Sequence, residues 1–300
     1  MVIHVGLALP TYRSLATADN IRLTADKADV YGFHSVWAVD HVIVSPPMIE
    51  SFGPVCYDPW ATLAYIAGRS SRLHVGFSIS PIAYRHPLQQ AKSIATLDQL
   101  SGGRASYGGA AGYLESEFVA LGLDFHKRGA MADEYLQAIR NAWTAEWPEW
   151  HGRFVDYSGV RCDPKPLQKP HPPIWVGGES DAAFRRAVRY GDGWHGMFNF
   201  LPTLEKLGDA LDRLRAIAGR EGRDPSTVRV SGKVDCRVSA DAGGRLFFGP
   251  ARKVADDLLR VAALGVEEIV FVPMVAASST GTEEIDRLGE EVLPLLGARV

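Results

Sequence analysis

The chain has 300 residues, 46% of them apolar, which is enough to bury one large core. Its 35 acidic and 32 basic residues give a formal net charge of −3, which argues against a strongly basic protein that binds nucleic acid or an anionic membrane. The three cysteines are far apart in the sequence, which argues against a disulfide framework or a paired-cysteine metal site and favours the reducing cytoplasm.

Short runs rich in β-branched residues alternate with longer segments of helical spacing, a pattern typical of a parallel sheet covered by helices. The predicted strands are residues 3–9, 35–39, 73–79, 104–109, 174–176, 193–197, 228–236 and 268–272. The predicted helices are residues 20–31, 59–69, 87 to the Gly102-Gly103 pair, 128–144, 181–190, 204–219, 250–264 and 282–296. Eight strand–helix pairs predict an α/β fold, a single (β/α)8 TIM-type barrel that spans residues 1–300.

Two stretches interrupt this alternation. A proline-rich loop at 45–57 follows the second strand, and a segment rich in aromatics and proline at 150–173 predicts a short hairpin insertion before the fifth strand. We expect both stretches to shape a pocket with an apolar bias. The side chains behind this expectation are Met48, Phe52, Tyr57 and Trp194.

The loops that follow the strands hold the chemistry in barrels of this kind. The second strand ends in Asp40-His41, and an imidazole there can exchange a proton near neutral pH or simply bond a backbone carbonyl. The third strand ends around Ser78-Ile79, where small residues permit either a bulge that a flat ligand can approach or a plain strand end. Both strand ends are therefore candidate site positions.

The fourth strand leads into a loop of small residues that includes Gly108, Ala110 and Gly112 and ends at Tyr113. Such a loop can let a ligand lie against the backbone, although its spacing is not the G-x-G-x-x-G of dinucleotide-binding proteins. We treat these four residues as candidate cofactor-binding positions.

The fifth strand ends in Gly177-Gly178-Glu179-Ser180, directly before a helix. Backbone N–H groups at a helix start, approached closely because of glycines, can bind the anionic group of a ligand. The alternative is a tight turn in which Ser180 only caps the helix.

Other catalytic patterns are missing from the sequence. No HxH or HExxH spacing appears, so we predict no metal site, and no GxSxG nucleophile elbow is present. Glu115 and Glu117 are too close in sequence to predict a catalytic pair of carboxylates.

Six short segments, taken in order and spacing, carry a resemblance to a known family. They are YGFHSVWAVDH (31–41), RHP (85–87), LDQLSGGR (97–104), DPKP (163–166), PPIWVGG (172–178) and GDGW (191–194). Together, over nearly the whole chain, they resemble the luciferase-like monooxygenase family in its F420-dependent subgroup.

The resemblance implies a role for each strand end. Asp40 and His41 would lie near the reactive ring of the cofactor, and a cis peptide bond between Ser78 and Ile79 would support that ring from behind. The strand-four loop and the turn at 177–180 would hold the ribityl and phosphate portion. The implied reaction is hydride transfer between a substrate carbon and C5 of the deazaflavin, with His41 as proton partner or as a group that polarises a substrate oxygen.

This chain departs from the family pattern at two positions. Ala110 replaces the middle glycine of the strand-four loop, and Tyr113 stands where some F420-dependent sugar-phosphate dehydrogenases place a catalytic glutamate. The glutamate chemistry is therefore not transferred to this chain, and Tyr113 could either donate a hydrogen bond or cover the ring.

The resulting prediction is a redox enzyme that uses coenzyme F420. An FMN-dependent two-component monooxygenase on the same scaffold is the alternative, and a cofactor-binding protein without turnover is a third possibility. We further expect a cytoplasmic homodimer with a small-molecule substrate and with neither a nucleic-acid nor a membrane partner. The first residues predict a strand and not a signal peptide, and no apolar run is long enough to span a bilayer.

Overall fold

The computed structural model describes residues 3–241, 244–273 and 282–297. Its strands are β1 (His4–Ala8), β2 (Ser35–Ala38), β3 (His74–Phe77), β4 (Ser80–Pro81), β5 (Ala105–Ala110), β6 (Trp150–His151), β7 (Asp156–Tyr157), β8 (Ile174–Gly177), β9 (Gly193–Met197), β10 (Arg229–Val238), β11 (Phe248–Gly249) and β12 (Glu268–Pro273). Its α-helices are α1 (Ala18–Val30), α2 (Pro46–Phe52), α3 (Pro59–Arg69), α4 (Pro87–Ser101), α5 (Glu115–Ala120), α6 (Arg128–Thr144), α7 (Asp181–Tyr190), α8 (Leu204–Arg220), α9 (Ala251–Ala263), α10 (Glu283–Arg287) and α11 (Leu293–Leu296). Shorter turns are the 3₁₀ segments Ile82–Tyr84, Phe125–Lys127, Phe198–Phe200 and Pro225–Thr227 and the π-helical segment Leu288–Val292.

Eight of these strands close into a parallel barrel. Around the barrel they follow the order β1, β2, β3, β5, β8, β9, β10 and β12, and β12 pairs again with β1. The antiparallel pair β6–β7 stands outside the barrel, before its fifth strand. The predicted TIM-type barrel and its hairpin insertion are therefore confirmed.

Two separate sets of apolar side chains hold the barrel together. The larger set lies between the strands and the surrounding helices. A small cluster of Ala8, Trp37, Trp175 and Val270 fills the inside of the barrel. Trp37 fits there because residue 76 is glycine, where a β-carbon would overlap the indole ring. The barrel is thus a packed core and not a pore.

Three histidines stack at the end of the barrel where its strands begin. The ring of His34 lies 3.9 Å from that of His4 and 4.4 Å from that of His74, measured between centroids. Burial lowers the pKa of all three, that of His34 to about 3, and the charges of the other two histidines add to the shift of His34. The stack is therefore uncharged at neutral pH.

Local sequence explains where the helices begin and end. Asp58 caps α3 by accepting a hydrogen bond from the amide of Ala61, and Pro59 occupies the first helical position, as the sequence predicts. Helix α4 stops at Gly102, whose left-handed φ of 72° suits glycine. Within the described ranges, no helix combines the length and the apolar character that crossing a membrane requires.

Three helical segments differ from the prediction. Helix α2 lies inside the stretch predicted as a proline-rich loop, because Pro46 is at a position where proline begins a helix. Helix α5 is absent from the sequence-based prediction, since six residues between glycine-containing loops are too few to show a helical period. The predicted last helix is interrupted by the π segment, just before Pro294 of α11, which has no N–H with which to continue the helical ladder.

The hairpin insertion packs on the outside of the barrel. The carboxylate of Glu134, in α6, accepts hydrogen bonds from the amides of residues 153–155. Beyond the hairpin, Gln168 donates to the carbonyl of Ala105, where β5 begins. The insertion thus lies away from the strand ends that carry the candidate site, and the expectation that it shapes the pocket is wrong.

Candidate active site

The predicted site residues follow four barrel strands that are neighbours in space. Residues 40–41 follow β2, residues 78–79 follow β3, residues 108–113 continue β5, and residues 177–180 end β8 and lead into α7. These four strands are adjacent in the barrel. The structure therefore brings the predicted residues to one half of the barrel mouth, while their contacts with a ligand stay predictions.

His41 is held by a buried carboxylate. Its imidazole is 10% exposed, and Nδ1 lies 3.1 Å from Oε2 of Glu117. The same carboxylate accepts hydrogen bonds from the hydroxyl of Tyr84 and from the amide of Val42, each at 2.7 Å. Burial raises the pKa of Glu117, but the bonds from His41, Tyr84 and Val42 together hold it below its ordinary value. Glu117 is therefore an ionised acceptor beside His41.

Two aromatic rings flank His41. The ring of Phe52 lies 5.2 Å away, and that of Tyr113 lies 6.4 Å away and nearly perpendicular to the imidazole. Tyr113 is 64% exposed, so it covers the histidine from the solvent side. Glu117, four residues further along, places a carboxylate against Nδ1 of His41.

Asp40 is buried, and its carboxylate accepts hydrogen bonds from three neighbouring side chains. Oδ2 accepts from the hydroxyl of Ser80 at 2.6 Å and from the indole of Trp60 at 3.2 Å. Arg85 forms an ion pair with it and bonds Oδ1 at 3.1 Å. Arg85 also bonds Asp58, the cap of α3. Asp40 thus ties β2 to its neighbours and positions the histidine that follows; the catalytic role expected for it stays a prediction.

The backbone between β3 and β4 forms a ledge, residues 78–79, across the mouth. The Ser78–Ile79 peptide bond is cis, so that prediction is confirmed. A β-carbon at Gly108 would overlap the carbonyl of Phe77, and one at Gly177 would overlap the side chain of Ile79. The two glycines therefore make room for the ledge, a packing role that the sequence does not reveal.

Buried polar side chains support the ledge from inside the barrel. Nζ of Lys233 donates to the carbonyl of Ser78 at 2.9 Å, and the hydroxyl of Ser78 lies 2.9 Å from Nε2 of His195. Nδ1 of His195 lies 2.7 Å from the hydroxyl of Ser231. Burial and then the charge of Lys233 lower the pKa of His195 to about 3, and burial and then the charge of Arg13 lower that of Lys233 to about 8. His195 is therefore neutral at pH 7, and Lys233 is mostly charged.

The end of β5 presents small residues to the mouth. Ala110 pairs in the sheet with Pro81 of β4, so replacing the usual glycine demands no unusual backbone conformation. Gly112 has a φ of 88°, and a β-carbon there would lie 2.9 Å from the ring of Phe118. Glycine at position 112 therefore leaves room for Phe118, and the contact of this loop with a flat ligand stays a prediction.

The turn after β8 is shaped by several local contacts. Gly178 has a φ of 110°, and a β-carbon there would lie 2.9 Å from that of Ala183. Ser180 caps α7 by accepting a hydrogen bond from the amide of Ala183. Glu179 accepts from the amide of Met197 at 2.8 Å, while burial raises its pKa. A substitution at Gly178 would thus perturb the turn itself as well as any bound anion.

Arg128 brings a positive charge to the same region. Its Nε donates to the carbonyl of Gly112 at 3.2 Å and its Nη1 to that of Phe125 at 2.9 Å. Among the described residues it forms no ion pair. Helix α6 packs beside α7, where Arg186 donates to the carbonyl of Gly129 at 3.1 Å. Arg128 therefore lies between the loop that follows β5 and helix α7, which follows the turn after β8.

A pocket of about 210 Å³ opens where β1 and β12 end. Most of its lining is apolar, and among its lining residues Arg13 alone carries a charge. Tyr12 in its wall packs against Phe52 at 5.4 Å between ring centroids, and Phe52 in turn packs against His41. Tyr12 and Phe52 thus connect the pocket wall to the histidine.

The four side chains expected to give the pocket its apolar bias, Met48, Phe52, Tyr57 and Trp194, are not among the residues that line this pocket. Phe52 lies between the pocket wall and His41. Trp194 is fully buried on the outer side of its strand, where it donates to the carbonyl of Gly178 at 2.8 Å. Trp194 therefore supports the turn after β8 and does not line the pocket.

Sequence reasoning misses four polar residues of this region, Glu117, Arg128, His195 and Lys233. Strand alternation could have placed His195 inside the barrel, and a lysine in the middle of a barrel strand, as at position 233, is itself a signal. No pattern of neighbouring residues marks Glu117, because its partner His41 is distant in the chain.

The comparisons with known proteins agree with this fold. The family model described as luciferase-like monooxygenase matches residues 2–243. The chain belongs to this family and is an oxidoreductase. It is 29% identical over 304 residues to an uncharacterised protein of Mycobacterium tuberculosis, covering 96% of this chain and 98% of that protein.

A further relative and a protein of similar fold differ in cofactor. An FMNH(2)-dependent dimethylsulfone monooxygenase of Pseudomonas putida is 35% identical over 139 residues, which cover 45% of this chain and 38% of that enzyme. The solved structure of an F420-dependent secondary alcohol dehydrogenase, in complex with an F420-acetone adduct, superimposes with a TM-score of 0.79. It is 17% identical and covers 97% of this chain and 98% of its own. Both cofactor classes thus occur on this scaffold.

Proposed function

We propose that the protein is an F420-dependent oxidoreductase, which transfers a hydride between C5 of the deazaflavin and a carbon of a small organic substrate. The observation that carries this proposal is the arrangement of the mouth. A backbone ledge follows β3 and contacts Gly177, His195 and Lys233 of other barrel strands, and His41, bound to Glu117, follows the neighbouring strand β2. A surface for a flat ring and a group that exchanges protons are what such a reaction requires.

The residues of the mouth fit a flat cofactor with a phosphate-bearing tail. Gly108 and Gly177 allow the ledge to lie close to the neighbouring strands, and the end of β5 exposes backbone. Arg128 retains donors beyond the two that bond carbonyls, and a guanidinium can bind a phosphate in a bidentate manner. We place the phosphate between Arg128 and the turn at 177–180.

When bound, F420 would supply the carbon centre that accepts or donates the hydride. The ledge at 78–79 would support one face of its ring system. The pocket beside Tyr12 and Phe52 would admit the substrate to the other face. His41 would then hold or release the proton of a substrate oxygen, a role that suits an imidazole near neutral pH.

An FMN-dependent monooxygenase is the second candidate. The similarity to the dimethylsulfone enzyme of Pseudomonas putida favours it. The same ledge and the same phosphate position would serve FMN.

A binding titration tests the choice between the two cofactors. The purified protein is titrated separately with F420 and with FMN, and each dissociation constant is measured by fluorescence. We expect F420 to bind at least tenfold more tightly, a difference of about 1.4 kcal/mol. Tighter binding of FMN, or a yellow flavin that copurifies with the protein, would overturn the proposal and support the monooxygenase.

A further inference from the structure

We propose that Glu117 is a positioning residue that keeps the proton of His41 on Nδ1 and so presents Nε2 to the substrate as a proton acceptor. The inference rests on the proposed function only for the identity of the substrate group that exchanges a proton with His41. The position of the proton follows from the hydrogen bonds around Glu117 and from the ionised state of its carboxylate.

The carboxylate of Glu117 receives four hydrogen bonds. Oε2 is 3.1 Å from Nδ1 of His41 and 2.7 Å from the hydroxyl of Tyr84. Oε1 accepts from the amides of Val42 at 2.7 Å and Ile43 at 3.3 Å. An ionised carboxylate only accepts hydrogen bonds, so Nδ1 must be the donor. The side chain of Glu117 is 1% exposed, which leaves little access for competing water.

Tyr84 cannot change this arrangement. Burial and then the hydrogen bond to Glu117 raise the pKa of Tyr84, so its hydroxyl keeps its proton at neutral pH and must also donate. The backbone amides of Val42 and Ile43 are donors by their chemistry. With three fixed donors on the carboxylate, the remaining bond is satisfied when His41 donates through Nδ1.

The other titratable groups around His41 do not compete with Glu117. The carboxylate of Asp40 is occupied by Ser80, Trp60 and Arg85. Burial raises the pKa of Cys56 to about 11, and burial raises that of Tyr113, so both groups are neutral at pH 7. Within the described ranges, Glu117 is the carboxylate that lies within hydrogen-bonding distance of the His41 ring.

The two ring nitrogens therefore have separate tasks. Nδ1 stays bonded to Glu117, and for Nε2 the described residues provide no partner. A substrate hydroxyl that gives up its proton would pass it to Nε2, and the imidazolium that forms would lie against an existing negative charge. Such an arrangement fixes the tautomer of the ring.

The test is nitrogen NMR of the full chain labelled with ¹⁵N-histidine, without cofactor, at a pH about two units above the ordinary histidine pKa of ~6.5. The chain has 9 histidines, and His41→Asn identifies the resonances of His41. We expect a protonated Nδ1 and an unprotonated Nε2 in the wild type. Glu117→Gln should give a mixture of both tautomers. Glu115→Gln, an exposed carboxylate on the same helix, is the matched control and should change nothing.

A wild type in which Nε2 carries the proton would overturn the proposal, as would an unchanged tautomer in Glu117→Gln. Tyr84→Phe supplies a second variant in case Glu117→Gln does not fold. It keeps the carboxylate, so His41 should retain the proton on Nδ1, and a switch to Nε2 would assign control to Tyr84 instead.

Measuring kcat distinguishes a positioning role of Glu117 from a purely structural role. Glu117→Gln should lower kcat by at least about tenfold with an unchanged dissociation constant for F420, as expected when the wrong tautomer prevails. A lower melting temperature and weaker F420 binding with unchanged kcat would instead show a structural role and overturn the proposal. If the protein binds no F420, the proposed function fails, whereas the tautomer measurement still decides the role of Glu117.

Discussion

Replacing His34 by phenylalanine is expected to remove part of the protein's sensitivity to acid. Burial, reinforced by the neighbouring charges of His4 and His74, lowers the pKa of His34 from 6.5 to about 3. The unfolded chain, in which the pKa returns to its ordinary value, binds a proton over a range where the folded chain does not. The stability linked to His34 is therefore present above pH 6.5 and is lost as the pH falls from 6.5 towards 3.

The size of this effect follows from the two pKa values. Each pH unit below 6.5 lowers the free energy of unfolding by about 1.36 kcal/mol, which gives about 2 kcal/mol at pH 5. Because the ring of His34 is only partly buried, solvent reduces this figure to about 1–2 kcal/mol. Phenylalanine keeps a flat ring between His4 and His74 and removes the titration.

Urea unfolding of wild type and His34→Phe, each near pH 7.5 and near pH 5, measures the difference. Between these two conditions the wild type should lose about 1–2 kcal/mol more than the variant. His126→Phe, at an exposed histidine, is the control and should behave as the wild type does. Equal losses in wild type and His34→Phe would refute the reasoning.

Three further variants test the site. His41→Ala should fold and bind F420 but turn over about 10²–10⁴-fold more slowly, and wild-type turnover would reject the role of this histidine. Arg128→Met should weaken F420 binding by about tenfold and flatten its dependence on salt, whereas Lys127→Met should not; an unchanged dissociation constant would place the phosphate elsewhere. Asp40→Asn should lower the free energy of unfolding, measured in urea, by about 3 kcal/mol, because it deprives Arg85 of a buried charge. Wild-type stability with abolished turnover would instead mean that Asp40 contacts the reacting atoms.

The barrel could be predicted from the sequence because the residues that mark its strands and helices lie within or next to those elements in the chain. Helix α6 begins at Arg128 and ends at Thr144, and β9 runs from Gly193 to Met197, as predicted. Runs of β-branched residues, prolines at helix starts and glycines at helix ends mark these bounds directly. Short segments such as α5 give too few residues for a period to be recognised.

The candidate site could be predicted only at the strand ends. His41 and the ledge at 78–79 follow strands, so the barrel geometry places them at the mouth. Glu117 lies 76 positions from His41 in the chain, and the hydrogen bond between them depends on how α5 packs. Tertiary packing also decides that Trp194 faces away from the mouth. The homodimer and the choice of cofactor stay predictions.

The packed interior of the barrel has a kinetic consequence. Trp37 and Trp175 fill the barrel beneath the mouth, so both reactants must approach the ledge from the same side. A cofactor that lies on the ledge is covered once the substrate has arrived above it. We therefore expect a compulsory order, in which the cofactor arrives first and departs last, with the cofactor trapped for as long as the substrate is bound.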